Sequence, residues 1–193
     1  MKENVILVDA DGVLFDWAFS FDRWMISNGY ELIDENQYKI SKRFDGLPYP
    51  KYKEMIRYFN ESAHIRYLPP HRDAIKYVKE LYESYGFVFH CITSLSNNRY
   101  AQRLREQNIR DLFGSTTFDR IVCLDTGADK DVALEEYRDS GCYWVEDKVE
   151  NAEVGLSLGL NSILMAHGYN ADYSGEALRV QNWKEIAEII INT

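Results

Sequence analysis

Long apolar runs are missing from this sequence. No stretch of the 193 residues approaches the roughly 18 consecutive apolar side chains that a membrane span requires, so no membrane partner is expected. Cysteine is scarce. Cys91, Cys123 and Cys142 form no metal-type spacing, and each sits in or beside an apolar run. They read as buried, reduced thiols, which fits a reducing cytoplasm. Basic charge is also in short supply: 22 Lys and Arg against 31 Asp and Glu give a net charge of −9. That balance argues against gripping nucleic acid through a basic face. It does not exclude a single nucleotide, whose phosphate one lysine, backbone amides and a metal can meet. Met1 to Asn4 lead straight into a strand-like run, so no signal peptide is expected. The remainder is ordinary for a globular chain with a proper core, at 46% apolar and 27% charged residues. The length suits one domain, or a core domain with a modest insertion.

What is present is a set of short apolar runs that end on polar residues. Val5-Ile6-Leu7-Val8 reads as a buried strand and stops at Asp9-Ala10-Asp11-Gly12. Strand continuation would point Asp9 and Asp11 to opposite faces, so they converge only if the chain turns, which Gly12 permits. Converging carboxylates need a cation or a shared proton. Without a Cys/His cluster, a hard, oxygen-seeking ion such as Mg2+ is the natural relief. Phe87 to Ile92 is a second strand, ending on Thr93-Ser94. Ser96 suits the N-cap of a helix over 97–108, so the hydroxyl pair would sit beside a helix N-terminus that favours anions. Arg120 to Leu124 is a third strand, and after a loop Lys130 opens a helix to about Ser140. A lysine opposes the dipole there, which suggests a role other than stability. Cys142 to Val145 is a fourth strand ending on Glu146-Asp147, with Asn151 four residues beyond Asp147. Asn161 to Met165 is a fifth, followed by a loop over 166–181 and an amphipathic helix over 183–191.

Strands alternating with helices predict an α/β fold, a Rossmann-like parallel sheet in a three-layer α/β/α arrangement. Residues from about 30 to 70 break the alternation. They are rich in Tyr, Lys, Arg and Glu, with prolines at 48, 50, 69 and 70, and read as a small helical insertion with a helix over 51–60. Phe15 and Trp17, near the carboxylates, and Tyr38, Lys42, Arg43 and Phe44 from the insertion are candidate substrate contacts. For each of them core packing or a solvated helix face is the competing reading.

Asp9, Asp11, Thr93, Lys130 and Asp147 together suit phosphoryl transfer. A phosphoryl group repels an anionic nucleophile unless its charge is neutralised, which magnesium, Lys130, Thr93 and backbone amides would do. One Asp can then attack phosphorus, and the second can protonate the leaving oxygen and later deprotonate a water.

Asp9-Ala10-Asp11-Gly12-Val13, Thr93-Ser94 after a strand, Lys130, and Glu146-Asp147 with Asn151 behind resemble, in order, the four motifs of the haloacid dehalogenase (HAD) superfamily phosphatases. The resemblance implies Asp9 as nucleophile and Asp11 as general acid/base. It implies Thr93, Ser94 and Lys130 as phosphate ligands, and Mg2+ on Asp9, Asp147 and the carbonyl of Asp11. Glu146 and Asn151 would support the metal. It implies a catalytic core of residues 1–16 and 71–193 and a small helical cap of residues 17–70. The dehalogenase branch lacks the second acid that Asp11 supplies. The run from Asp9 to Trp17 is similar to that of the deoxyribonucleotidases, although Leu95 stands where they commonly carry proline. The implied activity is a cytoplasmic, magnesium-dependent phosphatase acting on a nucleoside monophosphate. Another small phosphorylated metabolite, such as a sugar phosphate, is the first alternative. A receiver-like phospho-signalling domain is a distant one, because the chain is too long and an insertion would serve no purpose there. A degenerate binder is disfavoured by the full set of catalytic side chains.

Overall fold

The computed structural model describes residues 4–48 and 50–192. Of the first four residues, on which the signal-peptide reading rests, only Asn4 is among them.

Six parallel strands form one sheet in the order β3-β2-β1-β4-β5-β6. They are β1 (Val5–Val8), β2 (Val88–Ser94), β3 (Phe118–Leu124), β4 (Tyr143–Glu146), β5 (Asn161–Met165) and β6 (Leu178–Val180). The strand order reverses between β1 and its two neighbours, where an open α/β sheet forms a crevice beyond its carboxyl ends. Strand alternation sorts the core into two layers. Ile6 and Val8 face one cluster with Val78, Leu81, Ile109 and Ile186, while Leu7 faces the other with Trp144, Leu134 and Leu158. The first layer is built from α4 (Ala74–Tyr85), α5 (Arg99–Phe113) and α8 (Trp183–Asn192); the second contains α6 (Asp131–Leu134) and α7 (Val149–Ser157).

Between β1 and α4 the chain forms α1 (Trp17–Ser27), α2 (Ile40–Arg43), α3 (Lys51–Asn60) and a 3-10 turn at Ala63–Tyr67. Its apolar face is aromatic: Phe21 meets Trp17, Trp24, Phe44 and Phe59. A side-chain amide joins this segment to the sheet. Asn60 accepts from Trp17 Nε1 (2.9 Å) and donates to the carbonyl of Leu95, just past β2 (3.0 Å).

Several local expectations need correction. α4 begins at Ala74 and not at His71, because Arg72 adopts φ +42°, in the left-handed region that a right-handed helix cannot include; the Asp73 carboxylate serves α8, accepting from Trp183 N (2.9 Å) and Lys184 N (3.1 Å). Asn98, not Ser96, caps α5, accepting from Tyr100 N and Ala101 N. Ser96 instead donates to Glu61. The helix after Lys130 is a single short turn, α6, followed by a 3-10 turn at Glu135–Tyr137. β6 falls within a stretch expected to be a loop, because only Leu178-Arg179-Val180 pair with β5, at the sheet edge. All three cysteines are free, but Cys123 is only partly buried.

Candidate active site at the carboxyl rim of the sheet

β1 delivers Asp9 to the rim, and the amide of Asp9 still donates to Val145 O of β4 (2.9 Å). The chain then turns sharply. Leu14 and Phe15 both donate to Ala10 O, and Gly12 adopts φ +78°. Glycine is required there twice over. Its φ lies in the left-handed region, and a Cβ would run into the Asp147 carboxylate. Asp147 leaves the tip of β4 and precedes α7, so it does not share a helical turn with Asn151 as its spacing suggests.

Lys130, fully buried, lies between two acids. Its ammonium is 2.8 Å from Asp9 Oδ2 and 2.7 Å from Glu146 Oε2. Burial opposes its charge, but Asp9 and Glu146 outweigh that and hold the ammonium above the usual lysine range. Burial pushes Glu146 up, while Lys130 pulls it back. The 2.7 Å contact favours the ionised pair, since an ammonium so placed stabilises the carboxylate. Burial and the neighbouring Asp9 push Asp147 up to about 6, against the Tyr169 hydroxyl that donates to it.

Asp9, Glu146 and Asp147 each offer one carboxylate oxygen, all within 4.8 Å of one another. These hard donors fit a magnesium-type ion, and one ammonium cannot neutralise three carboxylates. Both oxygens of Glu146 are engaged, Oε2 by Lys130 and Oε1 by the amide of Lys148 (3.0 Å). Asp9 is engaged likewise, Oδ1 by the amide of Ala10 (2.7 Å) and Oδ2 by Lys130, whereas the Asp147 carboxylate accepts from Tyr169, on Oδ2. Beside them Thr93, at 1% exposure, has its hydroxyl buried without a hydrogen-bond partner. An orphaned buried hydroxyl is costly unless a ligand meets it. Ser94 is engaged, donating to Ala128 O of the β3–α6 loop (2.7 Å). Asn151 is buried on α7, and its carbonyl accepts from Trp144 Nε1 (3.0 Å).

Asp11 does not join that cluster. Its carboxylate turns to Arg105 of α5, with Nη1 2.7 Å from Oδ1 and Nη2 donating to Oδ2 at 3.0 Å. The two carboxylates of the first motif therefore meet separate basic partners and do not converge on one cation. Burial raises Asp11 above the ordinary carboxylate range, and Arg105 opposes the rise. The sequence reading missed Arg105, although a signal existed. Ala101, Leu104, Arg105, Asn108 and Ile109 repeat at helical spacing, which puts a guanidinium on a buried stripe. Tyr169 and His167 were also missed, because they lie in a loop without periodicity. His167 stacks on Tyr169 (5.0 Å between centroids), and its Nε2 bonds the carbonyl of Gly12 (2.8 Å).

The candidate substrate contacts divide. Phe15 and Phe44 are fully buried: Phe15 packs on Phe113 beneath the Arg105 guanidinium, and Phe44 packs on Phe21. Arg43 is saturated by Asp22 and the carbonyls of Glu35 and Gln37. Trp17, half-buried, stacks on Phe21 (4.6 Å). Tyr38 alone of the aromatic candidates is exposed, with its ring 5.2 Å from that of Tyr169.

The fold is that of the HAD-like hydrolases. A haloacid dehalogenase-like family hydrolase from Streptococcus pneumoniae superposes with a TM-score of 0.67 at 15% identity, over 96% of this chain and 98% of that one. The D,D-heptose 1,7-bisphosphate phosphatase of B. bronchiseptica, solved with magnesium and phosphate, gives 0.60 at 12% identity over 98% of each chain. In sequence, an uncharacterized 32.4 kDa protein from the gp30–rIII intergenic region of enterobacteria phage T4 is 24% identical over 191 residues, covering 94% of this chain and 67% of that protein. No family model matches the sequence.

Proposed function

We propose that the protein is a magnesium-dependent phosphomonoester hydrolase of the HAD superfamily that works through an aspartyl-phosphate on Asp9. The observation that carries this reading is the gathering of Asp9, Glu146 and Asp147 around Lys130, within ligating distance of one another. Asp9, Asp147 and the carbonyl of Asp11 would hold the ion, which when bound neutralises phosphoryl oxygens and leaves the nucleophile free to approach.

The chain's own groups supply the rest. A carboxylate oxygen of Asp9 forms the bond to phosphorus as the ester oxygen leaves. Asp11 delivers a proton to that oxygen, then takes one from the water that opens the acyl phosphate. Lys130 pairs with Asp9 and offers charge to the transferring group. The free Thr93 hydroxyl donates to a phosphoryl oxygen.

The substrate class is a nucleoside monophosphate, with residues 17–70 acting as a cap over the rim and the reaction taking place in a reducing cytoplasm. Tyr38 supports the first part: it is the exposed aromatic that this segment brings to Tyr169, which bonds Asp147. The three free thiols support the second. A phosphomonoester screen with magnesium tests the proposal. Nucleoside monophosphates are expected well above sugar phosphates, EDTA should abolish turnover, and magnesium should restore it. Asp9→Asn is expected to remove activity with the fold intact. Retained turnover of p-nitrophenyl phosphate by that variant would reject Asp9 as the nucleophile.

A further inference from the structure

Arg105 is a fully buried cation that none of the steps above uses. It stands on the apolar stripe of α5, its guanidinium lies 5.2 Å from the Phe15 ring centroid, and both oxygens of Asp11 lie against it. Its Nε and Nη1 have no aligned hydrogen-bond acceptor, and Asp11 is its one ion-pair partner among the described residues. A desolvated guanidinium so placed is committed to that carboxylate. The planar fork of an arginine also fixes the plane of the acid it meets, which a lysine cannot do.

We infer that Arg105 is the positioning residue for Asp11, setting the direction in which its carboxyl group faces the leaving oxygen. The inference rests on the phosphatase reading and deepens it. As the bond between phosphorus and the ester oxygen breaks, the proton of Asp11 passes to that oxygen and the carboxylate left behind is met by Arg105. Oδ2 of Asp11 accepts from Nη2 while Oδ1 has no aligned hydrogen bond, so Arg105 holds one oxygen and leaves the other to carry the proton.

The readout is dependence on the leaving group, because proton delivery matters most for poor leaving groups. Turnover is measured for p-nitrophenyl, phenyl and benzyl phosphate in the full chain, in Arg105→Met and in Arg105→Lys. Arg105→Met is expected to lose about 100-fold in kcat/KM, which reports the step that expels the leaving group, on benzyl phosphate and less than about threefold on p-nitrophenyl phosphate. Arg105→Lys, which keeps the charge without the fork, is expected to fall between. In an Asp11→Asn background the Arg105→Met change should have no further effect on benzyl phosphate, as coupling through Asp11 requires.

A uniform loss of kcat/KM across the three esters would mark Arg105 as a packing residue and overturn the inference while leaving the phosphatase reading standing. A gain on benzyl phosphate would overturn it too, by showing that Arg105 restrains Asp11. Unfolding of both variants, seen by circular dichroism, would assign Arg105 to the core alone. No turnover of any ester by the parent chain would sink the phosphatase reading as well.

Discussion

Two of the buried ion-pair clusters in this molecule, one in the helical insertion and one at the rim of the sheet, are finished differently. In the segment between β1 and α4, Arg43 meets Asp22 through two nitrogens and spends its remaining donor on backbone carbonyls. Cation and anion balance, and every strong group has a partner. At the rim of the sheet, Lys130 faces Asp9 and Glu146 while Asp147 crowds in beside them. There the negative charge exceeds the positive, and a buried hydroxyl, Thr93, waits without a partner. A balanced pair holds a fold together. An unbalanced cluster is held together by the fold, and a cation or a bound proton relieves it.

The sharpest way to break this contrast is to remove each cation. Lys130→Met leaves three buried acids unopposed, so stability should fall by about 3–5 kcal/mol and turnover by about 100-fold to 1,000-fold. Added magnesium should recover part of that stability in thermal melts. Arg43→Met should cost a similar about 3–5 kcal/mol, but magnesium should recover none of it, and the kcat of the folded fraction should stay within about threefold of the parent. Equal rescue of both variants by magnesium would erase the distinction.

A smaller effect comes from pH. Asp147, held up to about 6 against an ordinary 3.8, binds its proton in the folded chain before the unfolded one. The folded state therefore carries more protons between those values, and the metal-free protein should gain stability as pH falls from about 7 toward 4. Comparison of melts with Asp147→Asn isolates the contribution. The variant should be the more stable at neutral pH, with the gap closing on acidification. Magnesium at neutral pH should stabilise the parent and not the variant. The smallest expected change is Tyr169→Phe. Loss of one hydrogen bond to a carboxylate should lower stability by about 1–2 kcal/mol and weaken magnesium binding a few-fold, read by titration calorimetry.

The strand tips were legible because a core strand ending on an acid or hydroxyl is conspicuous in a sequence. β5 and α3 follow their expected bounds, since a compact apolar run and a clear helical stripe mark each. What stayed hidden depended on tertiary partners. Arg105 stands on a legible buried stripe, but its role stayed hidden because its partner Asp11 lies 94 positions away in the chain. Arg43 and Phe44 read as ligand contacts from their place in the insertion, yet Asp22 and Phe21 claim them. β6 is three residues long, too short for alternation to register. Asp73 was invisible as a cap because the helix it serves begins 110 residues later.

The carboxamide of Asn60 carries a last implication. It grips the indole of Trp17 on one side and the carbonyl of Leu95 on the other, two residues past Thr93. Such a strut carries no net charge, so neither high ionic strength nor acid should dissolve it. Conditions that strip the acidic rim of its electrostatics should leave the helical segment still moored to the strand that bears the unpartnered Thr93 hydroxyl.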